Sequence, residues 1–414
     1  MTDKLVVKEL YKIFGEEPEE ALGLAQQGLD KDEVFRRTGS VVAVNNVSFS
    51  VREGEIFVVM GLSGSGKSTL VRCINRLIEP TEGTVSVGDE AITGIGAEEL
   101  RQIRLRRISM VFQHFALLPH KTVCENVEYG LKTRGMPAGE RREKAIKALE
   151  TVGLDAWADA YPGNLSGGMQ QRVGLARGLA VDPEILLMDE PFSALDPLIR
   201  RDVQDELLRI QDDLQTTIVF ITHDLQEALK LGDQIAIMKD GRFVQVGTPE
   251  EIVTAPADDY VSAFTQDVDR SRVLTIRAVM DAPVPLAADM AAADALKALK
   301  AADGREAACV ANGSGAPAGL VTHEALAAGK DGATVGAVME DGVQTVRAGD
   351  YIFEIFDKLG AGRPLAVIDG EGKLVGEVHA ASVFPHLGTM PEEEDADGTG
   401  AAGPRDKEVM THGQ

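Results

Sequence analysis

The chain has 414 residues, a formal net charge of −24 and a hydrophobic share of 44%. That length gives roughly two or three domains with ample core, and the acidity argues against general nucleic-acid binding. No apolar run reaches the ~18 residues of a membrane span, the start Met1-Thr2-Asp3-Lys4 lacks a signal-peptide pattern, and Cys73, Cys124 and Cys309 are scattered as free thiols of a reducing compartment, so a soluble cytosolic chain is expected.

Tyr11-Lys12-Ile13-Phe14-Gly15 leads into a segment, Glu16 to Ser40, with Leu22, Leu29, Val34 and Phe35 on one predicted helical face. Hydrophobic Glu55-Ile56-Phe57-Val58-Val59-Met60 predicts a strand. It runs into Gly61-Leu62-Ser63-Gly64-Ser65-Gly66-Lys67-Ser68-Thr69, and a helix is expected from about Lys67 to Leu77. Strand, glycine-rich loop and helix in that order make a Walker A loop. Its glycines let backbone N–H groups point at phosphates, and the helix N-terminus adds partial positive charge. Lys67 is expected to reach the outer phosphates, and the Ser68 hydroxyl to hold Mg²⁺. Ile108-Ser109-Met110-Val111-Phe112 predicts a second strand, ending at Gln113, which is placed to meet both metal and water. Basic residues cluster at Arg101 to Arg107 and at Arg141 to Lys147, and both clusters read as solvated helix faces.

Apolar Phe115-Ala116-Leu117-Leu118-Pro119-His120 reads as a loop, and helical patches follow over about Thr122 to Ala160. Leu165-Ser166-Gly167-Gly168-Met169-Gln170-Gln171-Arg172 is the next motif. Ile185-Leu186-Leu187-Met188 reads as a buried parallel strand. Asp189 and Glu190 stand at its C-terminal end, where open α/β sheets bind ligands. Asp189 suits Mg²⁺ support through water, and Glu190 suits the general base for an attacking water. Ile218-Val219-Phe220-Ile221-Thr222-His223-Asp224 repeats that geometry, with His223 placed towards the γ-phosphate.

Together these residues resemble the nucleotide-binding subunits of ABC transporters over roughly residues 4 to 265. The resemblance gives each motif a role: Walker A at 61–69, the Q-loop at Gln113, the signature at 165–169, Walker B at 185–190, the D-loop Ser193-Ala194-Leu195-Asp196, and the switch His223. It implies that two subunits pack head to tail, so that Ser166, Gly167 and Gly168 of one close on ATP held by the other. It also implies an aromatic that stacks on adenine, Phe14, with Tyr11 as the alternative. The region of about 114–164 becomes a helical subdomain, and 115–120 its contact with a membrane partner. The branch most resembled is the quaternary amine class, the ProV type of glycine betaine/proline importers. The segment at 16–40, which most ABC subunits lack, the Leu62-Ser63 pair and Phe192-Ser193-Ala194-Leu195-Asp196-Pro197-Leu198-Ile199-Arg200 carry that likeness. Asn164 departs from the Glu common before the signature.

Beyond about Phe264 alanine rises and a repeat appears. Ala278-Val279-Met280-Asp281 recurs as Ala337-Val338-Met339-Glu340, and Ala307-Ala308-Cys309-Val310 corresponds to Leu365-Ala366-Val367-Ile368. Two copies of about 60 residues that fold by pairing are expected, and they resemble a tandem pair of CBS domains. Ala287 to Asp294 reads as helix. Residues 271–414 hold 12 Lys/Arg against 22 Asp/Glu, and acidic Glu392-Glu393-Glu394-Asp395-Ala396-Asp397 opens a tail expected to be disordered. An acidic module of this kind is expected to sense salt through screening, near anionic lipid or its twin.

The expected fold is α/β: a P-loop NTPase ABC domain at 1–268, with a RecA-like core and the helical subdomain, followed by CBS repeats (α+β) at 272–329 and 333–388 and the tail at 389–414. The expected function is an ATPase that powers an osmoprotectant importer, regulated by the CBS pair and peripheral on the cytoplasmic face of the inner membrane. ATP and Mg²⁺ are its cofactors. Its partners are a second copy, transmembrane permease subunits, indirectly a substrate-binding protein, and a small regulatory ligand or anionic membrane surface at the CBS pair; nucleic acid is not among them. Rival readings are an importer ATPase for another amino acid such as methionine, a soluble ABC ATPase in DNA repair or translation, and a regulatory nucleotide sensor.

Overall fold

The structure, a computed structural model, describes residues 2–113, 116–193, 195–302, 305–330, 332–359 and 363–388. Ala194 of the D-loop, Phe115 of the apolar loop and the tail at 389–414 lie outside the described residues. The chain divides into two compact units, Met1–Val273 and Leu274–Gln414.

The first unit opens with β1 (Asp3–Phe14), α1 (Pro18–Gln26), α2 (Lys31–Thr38), β2 (Val41–Arg52), β3 (Ile56–Met60), α3 (Lys67–Ile74), β4 (Glu82–Val87), β5 (Glu90–Ala91), α4 (Ala97–Arg106) and β6 (Ile108–Val111). Then come α5 (Val123–Thr133), α6 (Ala138–Thr151), α7 (Gly167–Leu179), β7 (Ile185–Asp189), α8 (Pro197–Leu214), β8 (Thr217–Thr222), α9 (Leu225–Leu231), β9 (Gln234–Lys239), β10 (Arg242–Gly247), α10 (Pro249–Thr254) and α11 (Asp259–Thr265). Six strands form a sheet in the order β10-β9-β3-β8-β7-β6, parallel except for β10. Strands β3, β7 and β8 are buried at every residue, as expected of a parallel sheet covered on both faces. The strand alternation divides two cores. Ile56, Val58 and Met60 join the cluster with α5, α6 and α7, whereas Phe57 and Val59 join the cluster with the second sheet, β2-β1-β4-β5.

The segment at 16–40 is two helices, not one. Asp30 starts α2 by accepting a hydrogen bond from the Glu33 N–H at 2.7 Å. This break turns the apolar residues: Val34 and the half-buried Leu22 and Leu29 pack with Ile13, Ala21, Ala25 and Val42, while Phe35 faces outward, 53% exposed. The Walker A helix stops at Ile74, short of Leu77. In the apolar loop, Leu118 is held by buried Asn126, whose Oδ1 accepts the Leu118 N–H at 2.7 Å and whose Nδ2 donates to the Leu118 carbonyl at 3.1 Å.

The second unit carries α12 (Ile276–Val279), α13 (Ala292–Ala301), β11 (Ala307–Ala311), β12 (Pro317–Thr322), α14 (His323–Ala328), α15 (Val335–Val338), β13 (Glu340–Asp341), β14 (Thr345–Arg347), α16 (Phe356–Leu359), β15 (Leu365–Ile368), β16 (Leu374–Val378) and α17 (Ala380–Leu387). Its sheets are β11-β12-β13 and β14-β15-β16. The opening helices of the two sequence copies are exchanged: Ile276 and Val279 pack with Val346, Val367 and Val383, and Val335 packs with Ala295, Val310 and Val321. A buried bond joins the sheets, the Cys309 N–H donating to Glu377 Oε1 at 2.9 Å. Residues 287–291 are not helical, because this stretch bonds to the other copy. The Ala288 carbonyl accepts the Gly336 N–H and the Met290 carbonyl the Val335 N–H, each at 2.8 Å. Helix begins only at Ala292.

Candidate active site

The glycine-rich loop is wedged between β2 and β9. Gly66 sits at φ 106°, and a Cβ there would lie 2.1 Å from the Ala43 carbonyl oxygen, so only glycine lets the loop turn into α3 at this spacing. The Lys67 side chain is drawn back over the loop. Only 4% exposed, its ammonium donates to the carbonyls of Gly61 at 2.7 Å and Leu62 at 3.0 Å. Burial pulls the Lys67 pKa down, against the carboxylates of Glu190 and Asp189, which favour its charge. The buried Ser65 hydroxyl has no hydrogen-bond partner. Constrained glycines and a buried cation that has no ion-paired carboxylate among the described residues together fit a phosphate chain.

The Ser68 hydroxyl donates to Asp189 Oδ1 at 2.9 Å, and Arg72 Nη2 stands 3.4 Å from Asp189 Oδ2. No group of three or more His, Cys, Asp or Glu among the described residues forms a metal cage. One hydroxyl beside one carboxylate fits Mg²⁺, which keeps waters and takes its remaining ligands from substrate phosphates.

Glu190 adopts φ 46°, a left-handed conformation rare for a side-chain-bearing residue. Three contacts hold it there. Its N–H donates to the Ile221 carbonyl at 3.1 Å, its carbonyl accepts the Ser193 hydroxyl at 3.0 Å, and its Oε2 lies 3.0 Å from His223 Nδ1. Gln113 Nε2 donates to that same Ser193 hydroxyl at 3.3 Å. The end of β8 is braced as well: the Thr222 hydroxyl donates to buried Glu227 at 2.6 Å, and Asp224 caps α9 while accepting from Arg200 at 3.1 Å. Burial raises the Glu227 pKa, partly offset by the Thr222 bond.

A cleft of about 560 Å³ runs over the loop. Its lining is Lys31, Asp32, Phe35, Val41, Val42, Ala43, Ser63, Gly64, Gly66, Lys67, Ser68, Thr69, Gln113 and Glu190. Asp189 and His223 touch this wall through Ser68 and Glu190. Phe14 is not in the lining, whereas Val41, its cross-strand partner, is. The Lys12 ammonium stands 4.9 Å from the Phe14 ring. Gly61 and Ser65, though part of the loop, are not in the lining. Ser166, Gly167, Gly168 and Asp196 also lie outside it. Ser166 caps α7, accepting the Met169 N–H at 3.3 Å. Sequence reasoning missed the bracing by Ser193, Arg200 and Glu227, and the cleft-lining Lys31, Asp32 and Phe35. Ser193 alone left a local signal, standing three residues after Glu190 beside the strand end.

A family model described as ABC transporter matches residues 44–193. The glycine betaine transport ATP-binding protein OpuAA of Bacillus subtilis (strain 168) is 45% identical over 397 residues, covering 96% of this chain and 95% of that protein. The glycine betaine/proline betaine transport system ATP-binding protein ProV of Escherichia coli (strain K12) is 56% identical over 277 residues, 67% of this chain and 69% of that protein. Among solved structures, the ATP-binding cassette MJ0796, in a dimeric post-hydrolysis state bound to ADP and Pi, is 33% identical with a TM-score of 0.50 over 59% of this chain and 98% of that one.

Proposed function

Because this chain belongs to the ABC transporter family, among the ATP-binding proteins of glycine betaine transport, we propose that it hydrolyses ATP to power import of a quaternary amine or other osmoprotectant, such as glycine betaine or proline. The observation that carries the hydrolytic half is the contact of Glu190 with His223 at the end of the cleft that starts on the phosphate loop. Lys67 and the loop N–H groups hold the phosphates. Mg²⁺, when bound beside Ser68 and Asp189, neutralises charge on the phosphate oxygens. Glu190 accepts the proton of the attacking water, His223 holds that carboxylate in place, and Gln113 reports on the site through Ser193. Ser166, Gly167, Gly168 and Asp196 complete the cleft of a second copy across a head-to-tail dimer, which accounts for their lying outside the lining of their own. Phe14 and Tyr11, the candidates on β1 for the base, both stand outside the lining of the cleft.

No helix among the described residues is long and apolar enough to cross a membrane. Transport therefore calls for separate permease subunits, to which this chain attaches on the cytoplasmic face, and for a substrate-binding protein acting through them. The second unit is the regulatory part, a CBS pair that answers to ionic strength, an anionic surface or a small ligand. Deleting the chain's gene from its host should abolish uptake of radiolabelled glycine betaine and leave methionine uptake intact. The reverse pattern would assign the protein to amino-acid import instead.

A further inference from the structure

We infer that helix α2 of the 16–40 segment supplies the aromatic wall against which the purine base of ATP stacks, through Phe35. The inference deepens the reading of the cleft as an ATP site and rests on it.

Direction comes first. Gln113 and Glu190 mark the hydrolytic end of the cleft, and Gly64, Gly66 and Lys67 mark its phosphate floor. A nucleotide with its phosphates on that floor and its outermost phosphate towards Glu190 must lay its base at the opposite end. The sheet order sets β9 and β10 on one side of β3, with β8, β7 and β6 on the other. Lys31 of α2 pairs with Asp240, and Asn45 of β2 donates its N–H to the Gly241 carbonyl at 2.8 Å, both in the β9–β10 turn. The lining residues Val41, Val42, Asp32 and Phe35 therefore stand on the side away from Glu190 and Gln113. Phe35 is 53% exposed and Val41 50%, two apolar side chains open to the same cleft. Every base has a π-face that an aromatic ring can stack.

Rigidity comes second, since a stacking platform must hold its distance from the phosphate site. The inner side of α2 is locked down, with Val34 fully buried against Ile13 and Val42. Lys31, at the start of α2, pairs with Asp240 in the turn between β9 and β10. The next residue of that turn, Gly241, donates its N–H to the Ser65 carbonyl of the phosphate loop at 3.0 Å. Helix, turn and phosphate loop are thus linked in series, and Phe35 is carried at a fixed offset from Lys67. Phe14, although held in the sheet opposite Val41, stands outside the lining, beneath the Lys12 ammonium.

The test uses the full chain and two probes, ATP and inorganic tripolyphosphate, which shares the phosphates and lacks the base. Phe35→Ala should raise the KM for ATP on the order of tenfold, within the range that loss of base–aromatic stacking gives. The inhibition constant of tripolyphosphate should stay unchanged, and Phe35→Tyr should restore the KM. In Phe35→Trp, ATP should change the emission of the new indole and tripolyphosphate should not, after subtraction of Trp157, the one native tryptophan. An unchanged KM in Phe35→Ala overturns the inference. So does an equal loss for both probes, or a KM effect in Phe14→Ala that Phe35→Ala lacks. A wild-type chain that binds ATP without hydrolysing it would fail the proposed function alone, because the Trp emission still reads the base contact.

Discussion

Glu190 differs from a solvated acid at a strand end in its backbone. At φ 46° it stores strain of roughly 1–3 kcal/mol, which persists only because the surroundings over-determine the geometry. The Ile221 carbonyl and the Ser193 hydroxyl supply that constraint, and the result aims the carboxylate at His223. Glu190→Gln keeps the shape and removes the proton acceptor. Phosphate release should fall by about 10²–10⁴, while ATP binding persists and a dimer accumulates in light scattering; normal turnover would refute the role of base. At this scale the sequence singled out Lys67, Ser68 and Asp189 because each belongs to a local motif, and the structure brings Ser68 and Asp189 within hydrogen-bond distance beside Lys67. The strain at Glu190 and the brace from Thr222 to Glu227 were not legible. Both depend on neighbours brought in by β8 and α9.

The helices α7 and α8 show why an element can carry two constraints at one residue. A Cβ on Gly168 would sit 2.2 Å from Ile199 Cγ2, so the signature glycine is required for packing inside its own chain. Gly168→Ala should therefore destabilise the first unit by about 1–3 kcal/mol, as overpacking does, read as a lower urea midpoint. Adding Ile199→Ala should recover most of that loss. If the double variant is stable and its ATPase remains poor, Gly168 also serves the partner's nucleotide, and recovery of both would limit it to packing. Elements whose pattern closes on itself were readable: the apolar runs of β3, β7 and β8 are strands throughout. Those set by remote partners were not. Asp30 splits the 16–40 segment and turns Phe35 outward, and alanine propensity at 287–291 loses to backbone bonds with Val335 and Gly336.

For the whole molecule, the exchanged helices decide where the chain can be cut. Residues 274–280 pack with the second sequence copy and 335–338 with the first, so neither copy keeps its core if the other is removed. Truncation after Val273 takes both copies together and leaves the clusters around the six-stranded sheet complete. A cut near residue 330 should instead strand Ile276 and Val279 without Val346 and Val367, giving a chain that binds hydrophobic dye and aggregates. In the proposed regulation, the excess of acid beyond residue 270 is what responds to salt. Repulsion from a like-charged surface reaches about 10 Å at 0.1 M salt and about 3 Å at 1 M. In vesicles holding the chain with its membrane partner, the full-length protein should gain transport as internal salt rises over that range. The chain ending at Val273 should hydrolyse ATP at a rate that no longer follows salt, and salt activation surviving that truncation would move the sensor into the first unit or the membrane subunits.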